Sequence, residues 1–503
     1  MRNLFYIGIT ALISNFISSQ TLNDLNYITS SSLNGSARYK SMAGAFGALG
    51  GDLSSITNNP AGSSVFLYNE IGASINYNSK NVKGIYSGQP RTIKDEDFYF
   101  DQFGAAFVFN NTKEKSSWKR ITASISVNRI TSFDQRSSIN GAGKNSISDY
   151  FLYYADGVAL EDIQIYDDET ISDIYGYLGE EIGFDAQQAF LGYQSYIIDP
   201  TTNDLSERSY VSNINSDRFN HILNQFNEGY HRKTSFNFSG LYKDFLHLGF
   251  NINQHRIEFS NLQDFYEKDH NSNSLVSNVN FENSLLSLGQ GFSLQFGGIL
   301  KFDNLRLGLS YDSPQWINIS DETQQKISSF RSESGIRVKE ILEPNVINSF
   351  SPYELRIPAK SSVSFAYIFD KKGLLSIEYN YQNLSNITLN SESISSYLDD
   401  LTSSFQQAFT SVNTIKFGGE YRIEDLSLRA GYYQRSNSKR DIFKNDNSLT
   451  FGIGFDFGSS NFSMSFVQST QNQNLQLFSA GLTDEYGLEN KFTELTLSYN
   501  IKF

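Results

Sequence analysis

The last eleven residues constrain the chain most. From Thr493 to Phe503 the odd positions are Thr, Leu, Leu, Tyr, Ile and Phe, while the even ones are Glu494, Thr496, Ser498, Asn500 and Lys502. Side chains of a strand alternate between two faces, so this pattern describes a strand with one apolar and one polar side. Soluble strands usually run about 5–6 residues, whereas a tilted strand needs roughly 9–11 to cross a bilayer. The segment has the membrane length, and its aromatic end is similar to the assembly signal of outer-membrane barrels.

The same pattern recurs upstream. Leu449, Phe451, Ile453, Phe455 and Phe457 alternate with Thr, Gly, Gly and Asp, turn at Gly458–Asn461, and resume at Phe462, Met464 and Phe466. Ile415 to Ile423 turns at Glu424-Asp425 into Leu426 to Tyr432. Further hairpins flank residues 370–373, Asp303-Asn304 and Lys243-Asp244. Each combines period-two alternation with turn-forming residues. Short turns near 111–117, 243–244, 303–304, 370–373, 424–425 and 458–461 alternate with long segments at about 79–97, 132–230, 260–289, 317–357, 387–411, 437–447 and 473–491. The pattern predicts an all-β chain: a transmembrane antiparallel barrel of about fourteen strands, with short turns on one rim and long extracellular loops on the other.

Composition enters here as a test. A mean hydropathy of −0.38 and the lack, after the N-terminus, of an apolar run of about 18 or more residues argue against membrane helices. Neither counts against a barrel, whose alternating strands average to neutrality. The 41 Phe, 30 Tyr and 2 Trp suit a lipid-facing surface and its interfacial girdles. Without Cys the chain has no disulfide or thiolate site. A net charge of −14 disfavours a nucleic-acid partner. All of that excess lies in one stretch, because Asn145–Glu207 holds fourteen acids and no Lys or Arg. It falls in the longest loop and reads as a solvated, self-repelling cap.

Residues 1–19 read as a secretory signal: Arg2, an apolar core from Leu4 to Ile17, then Ser18-Ser19. Residues 20–64 form the expected N-terminal hatch, and 65–503 the barrel, with its large acidic loop at about 132–230. The hatch run Ser36–Asp52 is dense in Gly and Ala, and Asn58-Asn59-Pro60-Ala61-Gly62 follows it. Small residues let backbone approach a wall closely, and Asn-Pro fixes a turn. A plug inside the lumen is expected, with Asn59, Pro60 and Ala61 as hatch and gating residues.

Several motifs together resemble the FadL/TodX family of outer-membrane transporters, over about Ala37 to Phe503. They are Asn59-Pro60-Ala61; Gly291-Phe292 through Leu307–Pro314; Leu355-Arg356-Ile357-Pro358-Ala359; and Phe417–Arg422 followed by Leu428–Tyr432. The Met42–Asp52 run resembles the version found in Bacteroidetes. The resemblance implies a monomeric fourteen-stranded barrel with a hatch, taking up long-chain fatty acids or other hydrophobic compounds and releasing them sideways into the membrane. The expected partners are a hydrophobic small molecule and the lipid and lipopolysaccharide of the outer membrane. Tyr397-Leu398, Leu401, Phe405 and Phe409 follow the 3–4-residue spacing of an amphipathic helix. Leu401, Phe405 and Phe409 are candidate ligand contacts, or the helix merely caps the barrel.

No catalytic or metal motif emerges, and no cofactor is expected. The five histidines fall within 221–270 but lack metal-binding spacing. His247 is expected to face the lumen and the others to be solvated in or near loops. Gly141-Ala142-Gly143-Lys144 lacks the upstream Gly and the Ser/Thr of a phosphate loop. Two functions remain: passive uptake of hydrophobic small molecules, or an outer-membrane docking barrel for other proteins, of the PorV type in type IX secretion.

Overall fold

The structure is a computed structural model that describes residues 22–503 except 31, 114, 269, 272, 334, 335, 392–394, 441 and 443. The expected signal segment, 1–19, lies outside them.

Fourteen antiparallel strands close into one barrel. They are β1 (Glu70–Tyr86), β2 (Gln89–Asn110), β3 (Trp118–Ser132), β4 (Phe219–Tyr242), β5 (Leu246–Lys268), β6 (Val276–Phe302) and β7 (Leu305–Asp312). Then come β8 (Lys360–Phe369), β9 (Gly373–Asn383), β10 (Ser411–Ile423), β11 (Leu426–Arg435), β12 (Asp446–Asp456), β13 (Ser460–Gln476) and β14 (Glu485–Lys502). Closure comes from β1 and β14, paired from Glu70↔Lys502 to Ile85↔Gly487. Closing the sheet removes the two free edges that an open sheet would leave in a medium offering no hydrogen bonds.

Alternation sets the two faces. On β14, Leu495, Tyr499 and Ile501 point outward, as does Phe503 just past its end, while Glu494, Thr496 and Ser498 are buried inside. The same parity exposes Phe236, Phe250, Phe296, Phe365, Phe417 and Phe451 on neighbouring strands. The exterior is thus an apolar and aromatic belt, as a membrane barrel requires.

The expected long loops are shorter than the sequence suggested. Residues 79–97 form a continuous hairpin turned by Ser87 (φ 47°) and Gly88 (φ 75°), the left-handed pair that a tight two-residue turn demands. Segment 260–289 is mostly the outer reach of β5 and β6, and 317–357 holds strands Gln315–Glu333, Ile336–Leu342 and Tyr353–Ile357. These extensions alternate Asn, Gln, Ser and Glu with fewer aromatics. Above the bilayer water replaces lipid, so the outer face loses its aromatic signal while the ladder continues.

Two further loops carry helices. Between β3 and β4 lie α3 (Ile147–Ala155), α4 (Ile171–Tyr177) and α5 (Phe184–Gln194); α6 (Ser395–Ala408) lies between β9 and β10. The hatch supplies the first two α-helices among the described residues, α1 (Leu22–Ile28) and α2 (Ala37–Ser41).

The lumen has two layers. At the long-loop end, hatch residues Leu25 and Tyr27 join Phe151 and Phe190 of the acidic loop and Phe259 and Phe281 of the wall in one apolar cluster. At the short-turn end the remaining hatch sits among inward-facing polar and charged side chains.

Candidate functional site: the hatch, the lumen and a seam in the wall

Asn59 organises the hatch. Its Oδ1 accepts from the Ala61 amide at 3.1 Å, capping the short helix Pro60–Val65. Its Nδ2 donates to the Gly47 carbonyl at 2.7 Å and to wall carbonyls Gly298 and Leu309 at 3.2 and 3.3 Å. The Pro60 carbonyl accepts from Asn237 of β4 at 2.9 Å, and Ala61 is fully buried. The three expected hatch residues therefore sit together against β4, β6 and β7.

Glycines in the wall make this approach possible. A Cβ on Gly249 would lie 2.5 Å from the Pro60 carbonyl oxygen, one on Gly297 2.0 Å from Asn59 Oδ1, and one on Gly308 2.2 Å from the Gly47 carbonyl. Opposite, Gly418, Gly431 and Gly452 receive Met42, Ala43 and Ser41 in the same way. Any side chain there would occupy space the hatch already fills.

Charge locks the same interface. Lys40, fully buried, donates to Glu494, to Asp101 at 3.3 Å and to Asn76 at 3.2 Å. Arg38 pairs with Glu420 at 3.0 Å, and Glu420 also holds Arg422 at 2.6 Å and Arg429 at 2.8 Å. Glu378 accepts from the Gly47 amide at 2.8 Å, from Asn58 at 2.7 Å and from Lys416 at 2.8 Å. Buried charges persist only where paired and fully hydrogen-bonded. These wall residues were not singled out from sequence, although a signal existed: Lys416, Glu420 and Glu494 occupy inward positions of strongly alternating strands. An ionisable group inside a membrane span needs a partner.

The wall is not uniform. β2 pairs with β1 up to the hairpin turn, but with β3 only from Asn110↔Arg120 to Gln102↔Asn128. Past that point β3 slips register between Arg129 and Thr131, breaks at Phe133-Asp134, and continues as Gln135–Gly143 paired to β4 alone. This continuation leans over β1, where a Cβ on Gly84 would lie 2.5 Å from the Ser138 carbonyl. Side chains close the resulting seam. Arg129 stacks over Tyr99 at 4.3 Å, and Lys80 bridges Asp97 at 2.9 Å and the Asp134 carbonyl. Behind it lies a small cavity, about 70 Å³, lined by Tyr27, Lys80, Tyr99 and Phe133 among others. A ladder has been replaced by contacts that rotamer changes can undo.

The candidate ligand residues lie in the upper apolar layer. Phe405 and Phe409 are fully buried and Leu401 packs beside them at intermediate exposure, on the helix the spacing anticipated and just past its end. They join the cluster that seals the long-loop end and lie away from the cavity behind the seam.

The histidines differ from expectation. His247 does face the lumen, 2.7 Å from Ser64 of the hatch. However, His221, His231 and His255 are buried, not solvated. The reason is the unforeseen strand length: β4 and β5 carry all three, at inward parity, far beyond the aromatic belt. His231 and His255 lie 2.9 Å apart. His221 and His270 approach Glu267 at 3.1 and 3.0 Å. Among the described residues no group of three or more His, Asp or Glu is placed to hold a metal ion.

Glu267 also accepts the Ser146 hydroxyl and the Ile147 amide, both at 2.7 Å, so it pins the start of α3. The acidic loop is thereby tied to the barrel rim. Some of its acids serve locally: Asp149 and Asp173 complete capping boxes, and hydrogen bonds from Thr202 and Thr201 hold the exposed Glu207 carboxyl down to about 2. Replacing Glu267 by Gln puts an amide donor among donors and removes charge-assisted bonds worth about 1.5–3 kcal/mol. The expected result is faster limited proteolysis within 144–218 in the folded barrel. An unchanged cleavage rate would show that Glu267 does not hold the loop.

No protein-family model and no curated protein matches the sequence. Solved structures do match in fold. A Pseudomonas aeruginosa FadL homologue superposes with a TM-score of 0.54 at 12% identity, covering 94% of this chain and 99% of its own. The P. putida toluene transporter TodX superposes with a TM-score of 0.51 at 13% identity, covering 94% and 99%. The hatch inside a fourteen-stranded wall, read together with these superpositions, places the chain in the FadL/TodX fold of outer-membrane barrels.

Proposed function

We propose that the protein admits hydrophobic small molecules, of the long-chain fatty acid or aromatic type, across the outer membrane, with the hatch closing the straight route. The seam between β2 and β3 carries this reading. Beneath the lumen the hatch is bonded to wall strands on every side, so a direct path to the short-turn end requires breaking many buried contacts. At the seam the closure between lumen and lipid is made by side chains, Arg129, Tyr99, Lys80 and their partners, in place of a continuous ladder. An apolar solute gains about 25 cal/mol per Å² on leaving water, which favours exit sideways into lipid over passage through a polar hatch. Entry would cross the apolar layer that contains Leu401, Phe405 and Phe409. Binding and release by changes in side-chain packing need no covalent chemistry, so the proposed role is not enzymatic.

The chain lacks Cys, so cross-linking can be site-specific. Cysteines at Tyr99 and Arg129, joined by a short bismaleimide, should cut uptake of labelled oleate or toluene to the level of a deletion strain. The same variant without linker should retain most uptake. Unimpaired uptake through the linked barrel would refute lateral exit, and normal uptake by the deletion strain would refute the transport role.

One observation favours the docking alternative. The strand Ile336–Leu342 pairs along one side with Gln315–Glu333 and bears exposed Ile336 and Ile341, an edge open among the described residues to which another chain could add a strand. Under that reading the deletion strain keeps its uptake and loses secreted proteins.

A further inference from the structure

A second cavity lies between the hatch and the wall, and its chemistry is unlike that of an apolar-solute path. It measures about 140 Å³ and is lined by five basic residues from five strands: Arg129 of β3, Lys233 of β4, Lys360 of β8, Lys416 of β10 and Arg435 of β11. No Asp or Glu lines it. Four of the cations have partners set back from the chamber: Arg129 with Asp134 at 3.7 Å, Lys360 with Asp312 at 2.9 Å, Lys416 with Glu378 at 2.8 Å and Arg435 with Asp446 at 3.7 Å. Lys233 has no ion pair among the described residues. Its ammonium is buried, and its hydrogen bond goes to the Thr57 carbonyl at 3.2 Å. A buried charge without a counter-charge is costly, so the chamber is short of one anion.

The remaining lining identifies the anion's class. It is mostly amide and hydroxyl, with Leu33, Ile130 and Val412 as its only aliphatic members, which leaves no apolar bed for an acyl chain. Asn128 and Asn380 present buried Oδ1 atoms that have no hydrogen-bond partner among the described residues. A ligand that satisfies the chamber must therefore accept from ammonium and guanidinium groups and donate to an amide oxygen. Carboxylate and sulfate have no proton to give at neutral pH. Inorganic phosphate keeps one proton even as its dianion, and a phosphomonoester, whose second pKa is about 6, keeps one as its monoanion.

We propose that this chamber binds a tetrahedral phosphoryl group retaining one proton, with Lys233 as its principal counter-charge and Asn128 and Asn380 as acceptors of its hydroxyl. The inference stands apart from the proposed uptake of hydrophobic solutes. The chamber adjoins the cavity behind the seam, since Ser32, Leu33 and Tyr433 line both spaces.

The test is calorimetric titration of the full barrel in non-ionic detergent at pH 7. The probes are inorganic phosphate, sulfate, and mixed micelles of phosphatidic acid or of phosphatidylglycerol, whose phosphodiester has no hydroxyl on phosphorus. Phosphate should bind in clear preference to sulfate. K233M should weaken it by about tenfold or more, the equivalent of roughly 1.4 kcal/mol, while K113M at an exposed turn should not. N380L should narrow the preference over sulfate, providing a readout should K233M fold poorly. Binding of phosphatidic acid but not phosphatidylglycerol or free phosphate would assign the phosphoryl group to a lipid headgroup; binding of free phosphate alone would assign it to a solute. Failure of both phosphate and phosphatidic acid to bind at millimolar concentration would overturn the proposal, as would equal affinity for sulfate or full affinity in K233M.

Discussion

Lys40→Met is expected to destabilise the folded barrel by about 3–5 kcal/mol, the usual cost of removing one partner from a buried ionic group. The ammonium is fully buried and shared between Glu494 and Asp101, with Asn76 as a third acceptor. Methionine preserves most of the side-chain volume, so packing changes little. What changes is that two carboxylates from opposite ends of the chain face each other without a cation. Urea unfolding in detergent, followed by the loss of heat-modifiable migration, measures the effect. The pairing makes a second, sharper claim: Glu494→Gln added to Lys40→Met should recover part of the loss. If the single substitution is neutral, water reaches this group and the hatch is looser than its hydrogen bonds indicate.

Removal of residues 22–58 should produce the other large effect, a barrel that conducts. That segment and the short helix after it supply the backbone that fills the lower lumen, and the wall glycines opposite provide no side chains to replace it. Planar-bilayer recordings should show large, frequent openings in place of a quiet membrane, and cells should admit bulky hydrophilic antibiotics. Gly249→Val provides a graded version, since its side chain would intrude on Pro60 and Ala61 backbone. Overpacking of this kind costs about 1–3 kcal/mol, enough to shift the hatch without abolishing the barrel. Conductance of the truncated barrel equal to that of the full chain would disprove the plug.

The barrel was legible because lipid imposes a simple rule on the outer face. Period-two runs such as Leu449–Phe457 and Thr493–Phe503 announce themselves, and pairs such as Lys243-Asp244 mark where they reverse. The rule ceases to apply outside the bilayer, which is why the hairpin at Ser87-Gly88 and the tops of β4, β5 and β6 read as loops. The histidines followed that error, for His221, His231 and His255 appear solvated only if their strands end early. Asn59-Pro60-Ala61 was readable as local turn chemistry. Its partners were not: Glu378 and Asn58 are joined across 320 positions, and no local window contains both. The seam was equally hidden, because a broken ladder depends on the register of three strands, not on the composition of one.

The hatch also constrains the order in which the molecule can be assembled. Its amide at Ala37 bonds to Ser498, 461 positions away, and Lys40 reaches Glu494, 454 positions away. The same lysine is held by Asn76 and Asp101 near the other end of the barrel. A segment made first therefore cannot be secured until the last strand has arrived. Long loops of this kind are entropically expensive to close and slow to find. Joining β14 to β1 and locking the hatch thus become a single late event. A chain that stalls before it would present an open sheet edge together with an unsatisfied ammonium, so incompletely folded copies expose to proteases wall strands that finished ones keep paired.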